Sequence, residues 1–255
     1  MRRGKTRVTR QTFIQGAMIL LAAGIVNRLL GFIPRIVLPR IIGAEGVGLY
    51  QLGYPFLTVL VTLVTGGIPL AVAKRVAEAR ASGDPDAERS IFRTAMALAV
   101  GLASLLAVLS GLSAPWVTTR VLTDPRVYTT FMWMLPVLPI TAASAVLRGY
   151  FQGRHNMLPT AVSTVAETIV RIALVLLLAA ALLERGLEWA AAGAMMGVLA
   201  GEGFGLAVLL VHYARIRRAE QPPAARMAAG GGPFPALRLL LGPAVPVTGS
   251  RLVGS

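Results

Sequence analysis

Five charged side chains stand inside long apolar stretches of this 255-residue chain: Arg28, Arg35, Glu167, Arg171 and Glu202. An arginine at the centre of a hydrocarbon layer costs about 2.5–3.5 kcal/mol on insertion scales, so it persists there by facing a partner or a water-filled cavity. Arg28 and Arg35 are seven residues apart and project from nearly the same helical face. Two guanidinium groups on one face suit a phosphate or pyrophosphate, which their planar donor forks can grip. For Arg35 a plainer reading stays open, that it snorkels to the interface beside Pro39 and Arg40. Glu167 and Arg171, four residues apart, can pair on one face, as a structural ion pair or as a gating or substrate contact. Glu202 lies one position off a row of glycines at a spacing of four, Gly193, Gly197, Gly201 and Gly205. The row reads as a face for close helix packing. Glu202 is a candidate proton or cation site, or the partner of a buried arginine.

Other chemistry has little to stand on. The sequence contains no Walker loop, nucleophile motif or metal-ligand cluster, and no cysteine at all. Asp84-Pro85-Asp86 has the look of the Asp-x-Asp of metal-dependent sugar transferases, but a turn and helix cap explains it better. The two histidines, His155 and His212, read as interfacial residues at helix ends. No catalytic residue, metal or cofactor is expected, and the chain does not read as an enzyme.

The elements that must position these residues are membrane spans. Hydrophobic residues make up 55% of the chain and charged ones 14%, against roughly 25% charged in soluble domains. A span takes about 20 mostly apolar residues. Residues 12–38, 50–73, 94–117, 160–183 and 189–213 satisfy this, and 128–147 does so despite its prolines. The expected fold is therefore all-α, a bundle of six transmembrane helices. The second span is broken by Gly66-Gly67-Ile68-Pro69 and the fourth by Pro136 and Pro139; such breaks are tolerated where neighbours or water satisfy the freed backbone groups. The basic start followed by an apolar run is not read as a signal peptide, because the run is too long and contains Arg28 and Arg35.

The net charge of +14 is distributed by loop rather than gathered on a binding face, which excludes nucleic acid as a partner. Seventeen basic residues fall in the N-terminal tail, the 2–3 and 4–5 connections and the stretch after the sixth span; the opposite loops hold four, Arg40, Arg120, Arg126 and Arg185. That bias places the N-terminus in the cytoplasm. The expected organisation is a basic tail over 1–11, a six-helix lobe over 12–214, a flexible cytoplasmic linker over 215–235, and over 236–255 the start of a second lobe. Arg28-Leu29-Leu30-Gly31 recurs as Arg251-Leu252-Val253-Gly254 within the first apolar segment after that linker. Repeats of this kind build many transporters. The last apolar segment is too short to cross, so the chain is expected to be the first lobe of two.

Three stretches carry a family resemblance. They are Asn27-Arg-Leu-Leu-Gly-Phe-Ile-Pro-Arg35, followed by Gly43-Ala-Glu-Gly-Val-Gly-Leu-Tyr-Gln51; Gly66-Gly-Ile-Pro-Leu-Ala-Val-Ala-Lys-Arg-Val-Ala-Glu78; and Leu147-Arg-Gly-Tyr-Phe-Gln-Gly-Arg-His-Asn-Met-Leu-Pro-Thr160, continuing to Glu167 and Arg171. They resemble the multidrug/oligosaccharidyl-lipid/polysaccharide exporter superfamily, in particular its stage V sporulation protein B and polysaccharide-exporter branch, close to the lipid II flippases. The resemblance implies two six-helix bundles in a transporter of about 14 helices, alternating access, and polyprenyl-pyrophosphate-linked saccharides as cargo. It implies that Arg28 meets the pyrophosphate, and for the sporulation branch that the cargo is a peptidoglycan precursor. The rivals are a cation-coupled multidrug exporter of the same superfamily and a non-transporting scaffold for cell-wall synthesis.

Overall fold

The computed structural model describes the backbone of residues 4–220 and the side chains from residue 14 onward. Among these residues there is no strand. The helices are α1 (Gly4–Leu30), α2 (Phe32–Leu52), α3 (Tyr54–Thr65), α4 (Ile68–Ala81), α5 (Pro85–Leu112), the single turn α6 (Ala114–Trp116), α7 (Tyr128–Met134), α8 (Val137–Gly153), α9 (Leu158–Leu182) and α10 (Leu187–Glu220). Five stretches are long and apolar enough to cross a membrane, and the first, Ile14–Ala81, is 68 residues of nearly unbroken helix. At 1.5 Å per residue that is about 100 Å, some three times the hydrocarbon thickness, so it must fold back. It does so at Gly43, whose φ of 68° and ψ of 177° lie in a region open essentially to glycine alone. Residues before the turn (Arg35, Pro39) and after it (Val47, Tyr50) then line one cleft. The result is an all-α bundle of six membrane-spanning helices.

Contacts fix which connections share an end. At one end Arg80 and Arg154 meet on Glu88, and Gly16 lies against Met157. At the other, Arg126 bonds Glu45 at 2.6 Å, Gly46 lies against Leu187, and Leu49, Val127 and Ala191 pack together. The charge bias of the loops divides the same connections into the same two sets.

The packing is set by small residues. Helix α8 is buried along most of its length and packs on α4 so closely that a Cβ on Gly149 would stand 2.6 Å from the Pro69 carbonyl oxygen, and one on Gly153 2.6 Å from that of Ala73. The α10 glycine row does the same on α9. Gly193 abuts the Leu178 carbonyl, Gly197 the backbone of Val175, Gly201 the Cβ of Arg171 and Gly205 the side chain of Glu167. In a bilayer, where lipid tails already solvate apolar side chains, such close approach is a main source of helix association.

The expected breaks occur where the sequence placed them. Gly66 and Gly67 separate α3 from α4, with Pro69 in the first turn of α4. Pro136 precedes α8, and Pro139 falls in its first turn, where a missing N–H costs nothing. Asp84 caps α5, its Oδ1 accepting from the N–H groups of Asp86 (3.0 Å) and Ala87 (2.9 Å). Further interruptions at Gly31 and Gly53 were not expected. His155 does end a helix, at φ 55° just beyond α8; His212 lies inside α10 with Nδ1 2.8 Å from the Val208 carbonyl. The compact unit ends at His212. Of the unit that follows, Tyr213–Glu220 is described and is helical, with the Arg217 guanidinium 5.7 Å from the Tyr213 ring centre. The start of the expected linker is thus helix, while its remainder, the second-lobe segment and the Arg251 repeat lie outside the described residues.

The glycine row gives a direct expectation. Gly197→Val should lower the midpoint of thermal unfolding in nanodiscs by an amount corresponding to about 1–3 kcal/mol or more, the usual cost of overpacking. Gly203→Ala, on the same helix but with nothing within 4 Å of an added Cβ, should not lower it.

Candidate functional site

A cleft of about 1080 Å³ opens between α2, α3 and α9, with Val198 of α10 at its wall. Its polar lining includes Arg35, Tyr50, Gln51, Tyr54, Thr168 and Arg171, and no carboxylate. The bends in the first two spans open it. Pro39 supplies no N–H to the carbonyl of Arg35 four residues earlier, the chain reverses at Gly43, and Gly53 parts α2 from α3. Tyr50 and Tyr54, one turn apart, hold their rings 6.1 Å from each other at 48°, and both line the cleft with Arg171.

Arg171 is anchored from behind. One guanidinium nitrogen donates to Glu167 Oε1 at 3.1 Å and stands 3.7 Å from Glu202 Oε1; another donates to Thr168 Oγ1 at 3.4 Å. The second oxygen of Glu167 accepts from Arg148 at 2.7 Å. Two arginines and two glutamates from α8, α9 and α10 thus form one part-buried, formally neutral group. Glu167 is 8% exposed at its side chain and Glu202 13%, whereas Arg171, at 33%, reaches out into the cleft. Gly201 and Gly205 bring α10 near enough for Glu202 to join, and Ser163 Oγ donates to the Gly205 carbonyl at 2.9 Å beside it.

Of the residues singled out from sequence, the structure brings Arg35 and Arg171 to one cleft and Glu167 and Glu202 to the back of it. Arg28 lies one turn before Gly31, outside that lining; like Arg35 it is exposed, and among the described residues neither has an ion-pair partner. Arg28 sits roughly midway between Gly16 near one end and Gly43 at the other. An unpaired cation there must face water.

Sequence reading missed three groups. Arg148 was assigned to a loop, but α8 continues to Gly153, and Arg148 sits inside it among buried neighbours. A lone arginine within an otherwise apolar, small-residue run was the available signal. Glu88 (8% exposed) takes Arg154 at 3.1 Å and Arg80 at 3.8 Å, and Arg154 also bonds the Tyr150 hydroxyl, locking two connections together. At the other end Arg126 joins Glu45 to Asp124. The side chain and backbone N–H of Arg126 hold the Asp124 carboxyl below its ordinary range.

Fold and site define a multi-pass membrane protein with a cationic cleft between its apolar helices. The chain belongs to the polysaccharide biosynthesis protein family, whose model matches residues 13–229, and so to the exporter superfamily that its motifs resemble. It is 40% identical over 250 residues to stage V sporulation protein B of Bacillus subtilis (strain 168), covering 97% of this chain and 48% of the relative. It is 32% identical over 214 residues to the lipid II flippase MurJ of the same organism, covering 78% of this chain and 39% of that one. A third relative there, the uncharacterized membrane protein YabM, is 30% identical over 219 residues, covering 84% of this chain and 40% of its own. The chain thus spans about half the length, or somewhat less, of these curated relatives. No solved structure matches it.

Two expectations follow from the charge groups. Glu167→Ala leaves Arg148 and Arg171 without their buried partner and should destabilise the bundle by about 3–5 kcal/mol, while Glu45→Ala, in an exposed pair, should cost no more than about 1 kcal/mol; equilibrium unfolding compares them. Asp124 titrates lower in the folded chain than unfolded, so its contribution is present above the ordinary carboxylate pKa and lost as pH falls through the folded value. The chemical shift of the Arg126 amide, which donates to Asp124 Oδ1 at 2.9 Å, should therefore stay constant around neutral pH and move only below about pH 4.

Proposed function

We propose that this chain forms a lobe of a flippase for polyprenyl-pyrophosphate-linked saccharides, with a peptidoglycan precursor such as lipid II as cargo. The observation that carries this reading is the convergence of Arg35 and Arg171 on a carboxylate-free cleft between apolar helices. A pyrophosphate diester carries two negative charges that hydrocarbon rejects, and two guanidinium forks supply paired donors for them. Arg28, exposed and mid-span, extends the cationic line beyond the cleft. The tyrosines and Gln51 offer the saccharide hydrogen bonds and ring faces, and the polyprenyl tail stays in the bilayer. Glu167 and Glu202 hold Arg171 when no anion is bound, and so act in gating.

A second lobe facing the cleft completes the cavity, and the two rock about the bound headgroup. The breaks at Gly66, Gly67, Pro69, Pro136 and Pro139 are the bending points, and Gly197 and Gly201 keep α9 and α10 together as one body. The basic connections face the cytoplasm, following the positive-inside rule, which places the N-terminus there in the plasma membrane. No bond is made or broken, so the transport step calls for no catalytic cofactor.

A cation-coupled multidrug exporter would need acids facing the cargo. Here the lining offers arginines, with the acids behind them. A scaffold for cell-wall enzymes would not need the arginines in the cleft.

The test is rescue of cells depleted of their lipid II flippases by the full-length protein, scoring precursor exposed on the outer leaflet. The intact protein should restore exposure, and Arg35→Ala or Arg171→Ala should weaken it about 10- to 100-fold, the worth of one charge-assisted contact. Wild-type rescue by the double variant would favour the scaffold, and drug resistance without precursor exposure would favour the exporter.

A further inference from the structure

Glu202 is the one carboxylate of the group that makes no hydrogen bond to an arginine, and the Glu167 carboxyl lies beside its own. Its Oε1 stands 3.7 Å from the Arg171 guanidinium, beyond hydrogen-bonding distance, and its Oε2 is buried with no partner. Both oxygens of Glu167 are taken, one by Arg148 at 2.7 Å and one by Arg171 at 3.1 Å. The charged side chains grouped with Glu202 are Arg148 from α8, and Glu167 and Arg171 from α9. From the first two spans, Arg35 and Tyr50 line the cleft into which Arg171 reaches. On α10 itself the flanking acid and histidine, Glu188 and His212, are fourteen and ten residues away. With all four members ionised the group is neutral. Arg171 alone among them also faces the cleft, so an anion arriving there competes with the two glutamates for the same guanidinium.

We propose that Glu202 is a proton site coupled to the cleft: when a pyrophosphate draws Arg171 away from the glutamates, Glu202 takes up one proton on Oε2. This deepens, and rests on, the reading of the cleft as a pyrophosphate site. The charges balance. Withdrawal of Arg171 leaves Arg148, Glu167 and Glu202 with a net charge of −1 in a low-dielectric interior, where an unmatched charge is strongly disfavoured. Glu167 keeps its bond to Arg148 and stays ionised. Glu202 has no donor to hold its charge, so a proton from water returns the three to neutrality. Oε2 is buried, so the proton reaches it through the space that Arg171 vacates as it swings into the cleft. Release of the anion runs the exchange backward: Arg171 returns to Glu167 and the proton leaves. Cargo binding and proton uptake become one linked equilibrium, which is what a proton gradient needs in order to act on flipping.

The sign is fixed by the stoichiometry. The bound state holds one proton more than the free state, so affinity rises as pH falls, by up to tenfold per pH unit while free Glu202 remains ionised. The experiment takes the full chain in nanodiscs and titrates it with a water-soluble pyrophosphate diester, whose two charges do not themselves titrate over the working range. Binding is followed calorimetrically in buffers of different ionisation enthalpy, which counts protons. The expected result is uptake of about one proton and a matching slope of affinity with pH. In Glu202→Gln, which keeps the shape of the protonated form, both should vanish while affinity stays at its low-pH level. Infrared difference spectra of the unsubstituted chain should gain a carboxylic-acid C=O band on binding, which tests the idea independently of whether the variant folds. Binding with no proton uptake, or an unchanged slope in Glu202→Gln, overturns the proton site and leaves the pyrophosphate reading standing. Absence of binding at every pH overturns both.

Discussion

A charge inside a bilayer must be matched by another charge or reached by water, and the organisation of this lobe follows from how it meets that demand. Arg148 is matched by Glu167, partly buried between helices. Arg171 is matched on one side by Glu167 and Glu202 and open to a cleft on the other. Arg28 and Arg35 have no partner among the described residues and so have to look onto water. Reading these arginines by their degree of pairing, from closed to open, traces a line from the packed interior to the face where an anionic headgroup can be held. Arg171 belongs to both ends of that line.

The glycines make the arrangement geometrically possible. Glu202 reaches Arg171 only because Gly201 and Gly205 let α10 lie directly on α9, one over the Cβ of Arg171 and the other over the side chain of Glu167. On the other side of the bundle, Gly149 and Gly153 press α8 onto the backbone of α4, which fixes where Arg148 points its guanidinium. Packing and electrostatics are therefore not separable here. The same small residues that supply helix association also set the distances within the charged group.

Much of this was legible in the sequence, for identifiable reasons. The six spans follow from apolar runs longer than any soluble core helix requires. The glycine row at a spacing of four showed itself as a packing face because its periodicity matches the helix, and Asp84 was readable as a cap from the local turn chemistry alone. Glu167 and Arg171 pair as their spacing suggests. The rest was hidden because it is not local. Arg148 and Glu167 are nineteen residues apart on different helices, and no spacing rule connects them. The Glu88–Arg154 contact spans 66 residues and Glu45–Arg126 spans 81. The turn at Gly43 looked like one more glycine in a glycine-rich stretch, although it reverses the chain and creates the cleft. Arg28, prominent in the sequence, proves to lie outside the cleft lining, whereas Arg35, which had a plain interfacial explanation, lies within it.

The central claim is that Arg171 leaves the glutamates for an anion in the cleft. A structure of the protein in nanodiscs with a pyrophosphate diester bound tests it most directly. The account predicts density for the diester between Arg35 and Arg171, with the Arg171 guanidinium turned from Glu167 to the phosphates and Arg148 still on Glu167. Diester density elsewhere, or a bound diester with Arg171 still seated on Glu167, would contradict it.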